Sequence, residues 1–237
     1  MKNSCLFSLL ISILLAQSSL IAQDTETRSL GSFDGISVSQ SIDAELIKGN
    51  TNEATITVRN VDLDEVITEV EGGVLKLKMA KKWNMNWGGK KKKVQIVLTY
   101  ADYPSYISAS SSADVISRDK IITESLEVNA SSSADIILEV EVGQLESKVS
   151  SSADIEISGS AEEAYVRVSS SADFLGKRLS TKVADLSASS SGDIELRVSD
   201  ELSAKASSSG DISYYGNPDV KKSKKSSSGD ISREGGR

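Results

Sequence analysis

The sequence predicts an all-β chain: a right-handed parallel β-helix (solenoid) with coils of about 19 residues, preceded by a hairpin-rich β region. Three observations carry that expectation. The string Ser-Ser-Ser-Ala/Gly-Asp occurs seven times, ending at Asp114, Asp135, Asp154, Asp173, Asp193, Asp211 and Asp230, at intervals of 18 to 21 residues. An apolar residue follows every one of those aspartates: Val115, Ile136, Ile155, Phe174, Ile194, Ile212 and Ile231. Apolar and polar residues alternate around each motif with the period of two that marks one face of a strand.

The chain opens with the marks of a secretory leader. Lys2 supplies a positive start, Leu6 to Leu15 an apolar stretch, and Ala22-Gln23 a small-residue cleavage point before Asp24. We assign residues 1–22 to a signal peptide. The apolar stretch is too short for a bilayer, which needs about 20 residues. Cys5, the only cysteine, lies ahead of that stretch, where a lipid-modified cysteine would follow it, so the exported chain has no thiol or disulfide. Histidine is absent throughout, which excludes Ser-His-Asp and Cys-His catalysis and histidine-ligated zinc or iron. The leader carries Lys2 and no acid, so its removal takes the net charge from −7 to −8. An acidic exported chain is a poor match for nucleic acid, whose affinity comes from positive charge.

Residues 24–104 read as strands joined by tight turns. Ile42 to Leu46 alternates and ends at Gly49-Asn50, and Ala54 to Val58 follows. Val66 to Val70 leads through Glu71-Gly72-Gly73 into Val74 to Met79, a strong hairpin signal. Val94 to Tyr100 is the next strand. Between the last two lies a loop holding both tryptophans, Trp83 and Trp87, and a run of Lys90, Lys91, Lys92 and Lys93. Aromatic rings flanked by lysine and asparagine suit stacking on sugars, on an anionic polymer or on a lipid headgroup. They could equally cover the adjacent sheet. These six residues are the candidate ligand-binding set.

Residues 105–237 form the repeat. Counting by twos from the middle serine of each copy reaches Ala109, Ala130, Val149, Val168, Ala188 and Ala206 on one side and the apolar residues after Asp on the other. That set is expected to point inward, and the middle serine with it. The first serine, the third serine and the aspartate should then face outward, stacked as ladders one coil, about 4.8 Å, apart. Carboxylates at that distance repel by about 1 kcal/mol in water. Three devices could offset the repulsion: each Asp accepting a backbone N–H in its own bend, as a structural turn ladder; a cation such as Ca²⁺; or direct ligand recognition. Lys221-Lys222-Ser223-Lys224-Lys225 breaks the pattern and reads as the cap of the last coil.

Phe33-Asp34-Gly35-Ile36-Ser37-Val38, the Gly72 to Leu77 hairpin, the strand Val94 to Tyr100 and the recurring Ser-Ala/Gly-Asp-Ile together resemble the auto-transporter adhesin, head GIN domain family of exported bacterial proteins, common in Bacteroidetes. The family usually has Gly-Ser-Gly-Asp at the repeat. Here serine replaces the first glycine in every copy and alanine the second in four. The resemblance implies parallel β-helical coils and no catalytic residues. The expected function is an exported, non-catalytic cell-envelope or surface protein, an adhesin or glycan- or envelope-binding scaffold, periplasmic, on the outer surface or secreted. The alternative is a polysaccharide-active β-helix lyase or glycosidase. Such enzymes need paired carboxylates in a cleft or a base beside bound calcium, whereas Arg167 and Arg197 stand isolated in the sequence. No resident cofactor or metal is expected beyond the open Ca²⁺ reading.

Overall fold

A computed structural model of the chain describes residues 23–80 and 92–235. The signal-peptide assignment lies outside the described residues. Within them the chain is almost entirely strand, joined in one sheet that winds into a parallel β-helix.

The long strands are whole coils. Those of β10 (Ile121–Ser131), β11 (Asp135–Ser150), β12 (Asp154–Ser169), β13 (Asp173–Ser189) and β14 (Asp193–Ser207) pair in parallel, each with the next. Their burial alternates strictly along most of their length because each bonds to neighbours on both edges and presents one face to the shared interior. The expected inward columns are buried: Ala109, Ala130, Val149, Val168, Ala188 and Ala206 on one side of the corner, Val115 to Ile212 on the other. Where a coil bends away from the serine corner, the close stacking of backbones demands glycine. Gly159 has φ +109°, and a Cβ there would sit 2.0 Å from the Val140 carbonyl oxygen.

The stack begins earlier in the chain than the sequence repeat does. The strands β2 (Gly35–Ser39) and β3 (Ile42–Lys48) pair in parallel with β8 (Tyr106–Ser110) and β9 (Asp114–Ser117). Their other edges pair in parallel with β6 (Val74–Met79) and β7 (Lys93–Tyr100). The first coil in sequence is thus second in space. The chain leaves it, builds the layer on its outer side, then crosses to the inner side. Antiparallel strands finish that end: β4 (Glu53–Arg59) lies between β7 and β1 (Asp24–Ser29), and β5 (Val66–Glu71) forms the expected hairpin with β6. Gly72 and Gly73, at φ +58° and +83°, make its turn, the double positive-φ geometry that hairpins favour.

The far end is closed by β15 (Asp211–Tyr215), β16 (Asp219–Ser226) and β17 (Asp230–Glu234). Every residue of β16 is exposed, and Lys225 takes the register position of buried Ala206. Charge on a terminal coil discourages end-to-end pairing of strand edges.

Candidate functional site

The serine corner is the repeated surface feature. In each of the seven copies the second and third serines both have φ between +50° and +64°, as at Ser151 and Ser152. Two consecutive left-handed residues make a type I′ bend, which glycine and asparagine normally supply. In the last three copies the bend closes on itself: Gly192, Gly210 and Gly229 donate N–H to the carbonyls of Ser189, Ser207 and Ser226, at 3.1, 3.0 and 3.1 Å. Between coils, the third serine's N–H donates to the middle serine's carbonyl of the following coil, from Ser112 to Ser132 at 2.9 Å through to Ser209 and Ser227 at 3.0 Å.

This geometry corrects one expectation. The middle serine faces solvent, not the interior: Ser132, Ser151, Ser170 and their counterparts are exposed. Alternation holds on either side of the corner, but a left-handed residue reverses the backbone's turn, so counting by twos does not carry through it. The hydroxyl therefore needs no buried partner.

The aspartates are in register. Asp114, Asp135, Asp154, Asp173, Asp193, Asp211 and Asp230 pair as consecutive ladder positions. Asp43 precedes them, because Ser39-Gln40-Ser41-Ile42-Asp43 makes an eighth corner with Gln40 and Ser41 at φ 63° and 58°. The carboxylates bond across coils: Asp211 N–H donates to Asp193 Oδ1 at 3.2 Å, and Asp230 N–H to Asp211 Oδ1 at 2.9 Å. Partial burial, followed by the charge of neighbouring aspartates, holds the Asp114, Asp154 and Asp173 carboxyls above the usual carboxylate range. Lysine meets the ladder at both ends, Lys93 Nζ 3.3 Å from Asp43 and Lys225 Nζ 2.6 Å from Asp230. The Lys225 hydrogen bond pulls the Asp230 carboxyl below that range. Among the described residues no group of three or more acidic side chains is arranged to hold a metal ion.

Of the candidate ligand-binding loop, Trp83, Trp87, Lys90 and Lys91 lie outside the described residues. Its flanks are placed. Since β6 stacks on β2 and β7 on β3, the chain departs after Met79 and returns at Lys93 at the level of the corner formed by Gln40 and Ser41. Gln40 Oε1 accepts from the Met79 N–H at 2.8 Å. Of the two described flanks, Lys93 thus lies beside the first aspartate of the ladder, Asp43. Lys92 and Lys93 are exposed.

Lateral stacking also assembles groups that the sequence left apart. Arg167 pairs in register with Lys148, 19 positions earlier, and Lys177 and Arg197 both approach the ring of Tyr215, at 5.1 and 5.8 Å. The signal lay in the repeat alignment: Lys148 and Arg167 each stand two residues before the first serine of a motif.

A family model described as "Putative auto-transporter adhesin, head GIN domain" matches residues 32–218. Solved structures share the fold. A putative adhesin from Bacteroides fragilis NCTC 9343 superposes with TM-score 0.79 at 17% identity, over 90% of this chain and 97% of that one. A putative adhesin from Parabacteroides merdae ATCC 43184 does so with TM-score 0.71 at 20% identity, over 90% and 96%. A structure described as a putative lipid binding protein from Parabacteroides distasonis ATCC 8503 gives TM-score 0.66 at 21% identity, over 90% and 97%. No curated protein matches the chain.

Proposed function

The chain belongs to the auto-transporter adhesin, head GIN domain family, and from that premise we propose that it is an exported, non-catalytic scaffold that binds glycans or other envelope components, in the periplasm, on the outer surface or after secretion. The observation that supports this reading is the straightness of its outward columns. Serine and aspartate positions recur coil after coil in unbroken register, so the surface repeats about every 4.8 Å along one axis. A surface that repeats suits an extended polymer. Hydrolases and lyases instead gather unlike groups at one point.

In this reading the aspartates are structural, holding successive corners together, and the loop from Trp83 through Lys93 carries recognition, as a unique loop on a rigid scaffold commonly does. The test is retention of the mature chain on immobilised glycans and envelope fractions, with lyase and reducing-sugar assays on the same polymers. Saturable retention without turnover is expected; robust turnover refutes the proposal. Trp83→Ala with Trp87→Ala should abolish retention and leave the melting temperature nearly unchanged. Glutamine at Lys90 to Lys93 should weaken it in a salt-dependent manner. A tryptophan variant that folds and binds normally moves the site elsewhere.

A further inference from the structure

We propose a second recognition site, for linear polyanions, in a trench on the face just before the serine corner. Two outward columns bound it. One is the first serine of each motif, including Ser150, Ser169 and Ser189. The other lies two residues upstream and reads, in spatial order, Ser108, Asn129, Lys148, Arg167, Ser187, Lys205, Lys224. Alternate residues on a strand share a face and stand roughly 6.6 Å apart, so the columns make the walls. Val149 and Val168, whose side chains turn inward, leave their backbone as the floor. Across the coils that contain Lys148, Arg167 and Ser187 the trench is an open depression of about 350 Å³.

Its charge sets it apart from the rest of an acidic protein. Four cations share one column as two pairs on adjacent coils, Lys148 with Arg167 and Lys205 with Lys224, and within each pair they repel across about 4.8 Å. Most other exposed lysines in strands are neutralised on the spot: Lys182 by Glu162, Lys221 by Asp219, Lys225 by Asp230. In this column only Lys148 has such a partner, with Glu146 at 2.8 Å and Glu127 at 3.5 Å. Among the described residues Arg167, Lys205 and Lys224 enter no ion pair. A guanidinium and an ammonium side by side, facing a row of hydroxyl groups, match an anion with several oxygens: Arg167 can grip it with two parallel N–H donors, Lys148 adds a point charge, and Ser150 and Ser169 donate O–H. Because the same wall recurs at Lys205 and Lys224, the ligand is a chain of anionic groups laid along the coil axis. Sulfated and carboxylated polysaccharides both have that chemistry.

The inference rests on the proposed binding role only in taking polymers as ligands; none of the residues lining the trench belongs to the tryptophan loop. The test measures binding of the mature chain to dextran sulfate, to polygalacturonate and to neutral dextran at low salt. Wild type should bind at least one polyanion, with affinity falling as salt rises, and should ignore neutral dextran. Lys148→Gln with Arg167→Gln should weaken binding by about tenfold or more, the loss of two charge-assisted contacts. Lys120→Gln with Lys182→Gln makes the same change in net charge away from the trench and should leave affinity within about twofold, since exposed pairs of this kind contribute little. Preference for dextran sulfate or for polygalacturonate identifies the group recognised. The site is refuted if the trench variant binds as wild type does, if the control variant loses as much, or if neither polyanion binds. Retention on envelope glycans that persists when no polyanion binds would leave the scaffold role standing and remove only the trench.

Discussion

Asp154→Asn should stabilise the protein at neutral pH, and the size of the gain should track pH and salt. Asp154 lies between Asp135 and Asp173 on the ladder. Each neighbour is one coil away, about 4.8 Å, and a pair of unit charges at that distance interacts by about 1 kcal/mol in water. Asparagine removes both repulsions, and with them the cost of keeping a charge at a partly buried corner. It keeps an oxygen able to accept the N–H of Asp173, the bond that partly offsets burial at Asp154. That N–H also reaches the Ala153 carbonyl at 3.1 Å, so the backbone tie between these coils survives. Weakening the charge-assisted bond returns a part of the gain, and solvent screening trims the rest, leaving about 0.5–1 kcal/mol. The sign with pH follows from proton binding. A carboxyl whose folded-state value is raised holds its proton more readily in the folded chain, so its contribution is present at low pH and is lost as pH rises through the raised value. Wild-type stability should therefore fall as pH climbs from the ordinary carboxylate value through the folded values of Asp114, Asp154 and Asp173, and the variant should fall less. Asp230, pulled down by Lys225, works in the opposite sense at the end of the ladder. Urea midpoints at pH 3 and pH 7, with and without high salt, measure both effects. A variant less stable than wild type at pH 7, or one whose gain is the same at every pH and salt, refutes the repulsive ladder.

Two further outcomes follow from the same corner. Ser151→Gly with Ser152→Gly should raise stability by about 1–2 kcal/mol in total: a left-handed residue costs roughly 1–2 kcal/mol when it bears a side chain, against about 0.5–1 kcal/mol of chain entropy for glycine, at each of the two positions; a loss in the denaturation midpoint would show that the hydroxyls hold the bend. Calcium chelation should leave the melting temperature of the wild type unchanged, since the ladder is bonded coil to coil by backbone N–H donors; a fall on chelation that calcium restores would make the aspartates a cation site instead.

The repeat made much of the architecture legible, because a solenoid is nearly one-dimensional and each coil contacts only its neighbours. The interval between motifs placed Asp114 to Asp230 in one column, and alternation sorted Ala130, Val149 and Ile155 to the inside without knowledge of any distant contact. The absence of histidine and the acidic charge are likewise properties of the chain alone. What required the folded structure involves either backbone handedness or separation along the chain. The outward middle serine follows from φ values that side-chain identity does not announce: serine is not the residue expected at two successive left-handed positions. The insertion of β2 and β3 between layers built by residues 74–100 and 106–117 joins segments that no local pattern connects. It gives the ladder its eighth carboxylate, Asp43, and sets the ends of the tryptophan loop beside it. Lys148 and Arg167 stand in different repeats and read as unrelated surface charges until the coils stack; parallel register turns a separation of one repeat into direct adjacency, and a pair of solitary cations into one wall of a trench.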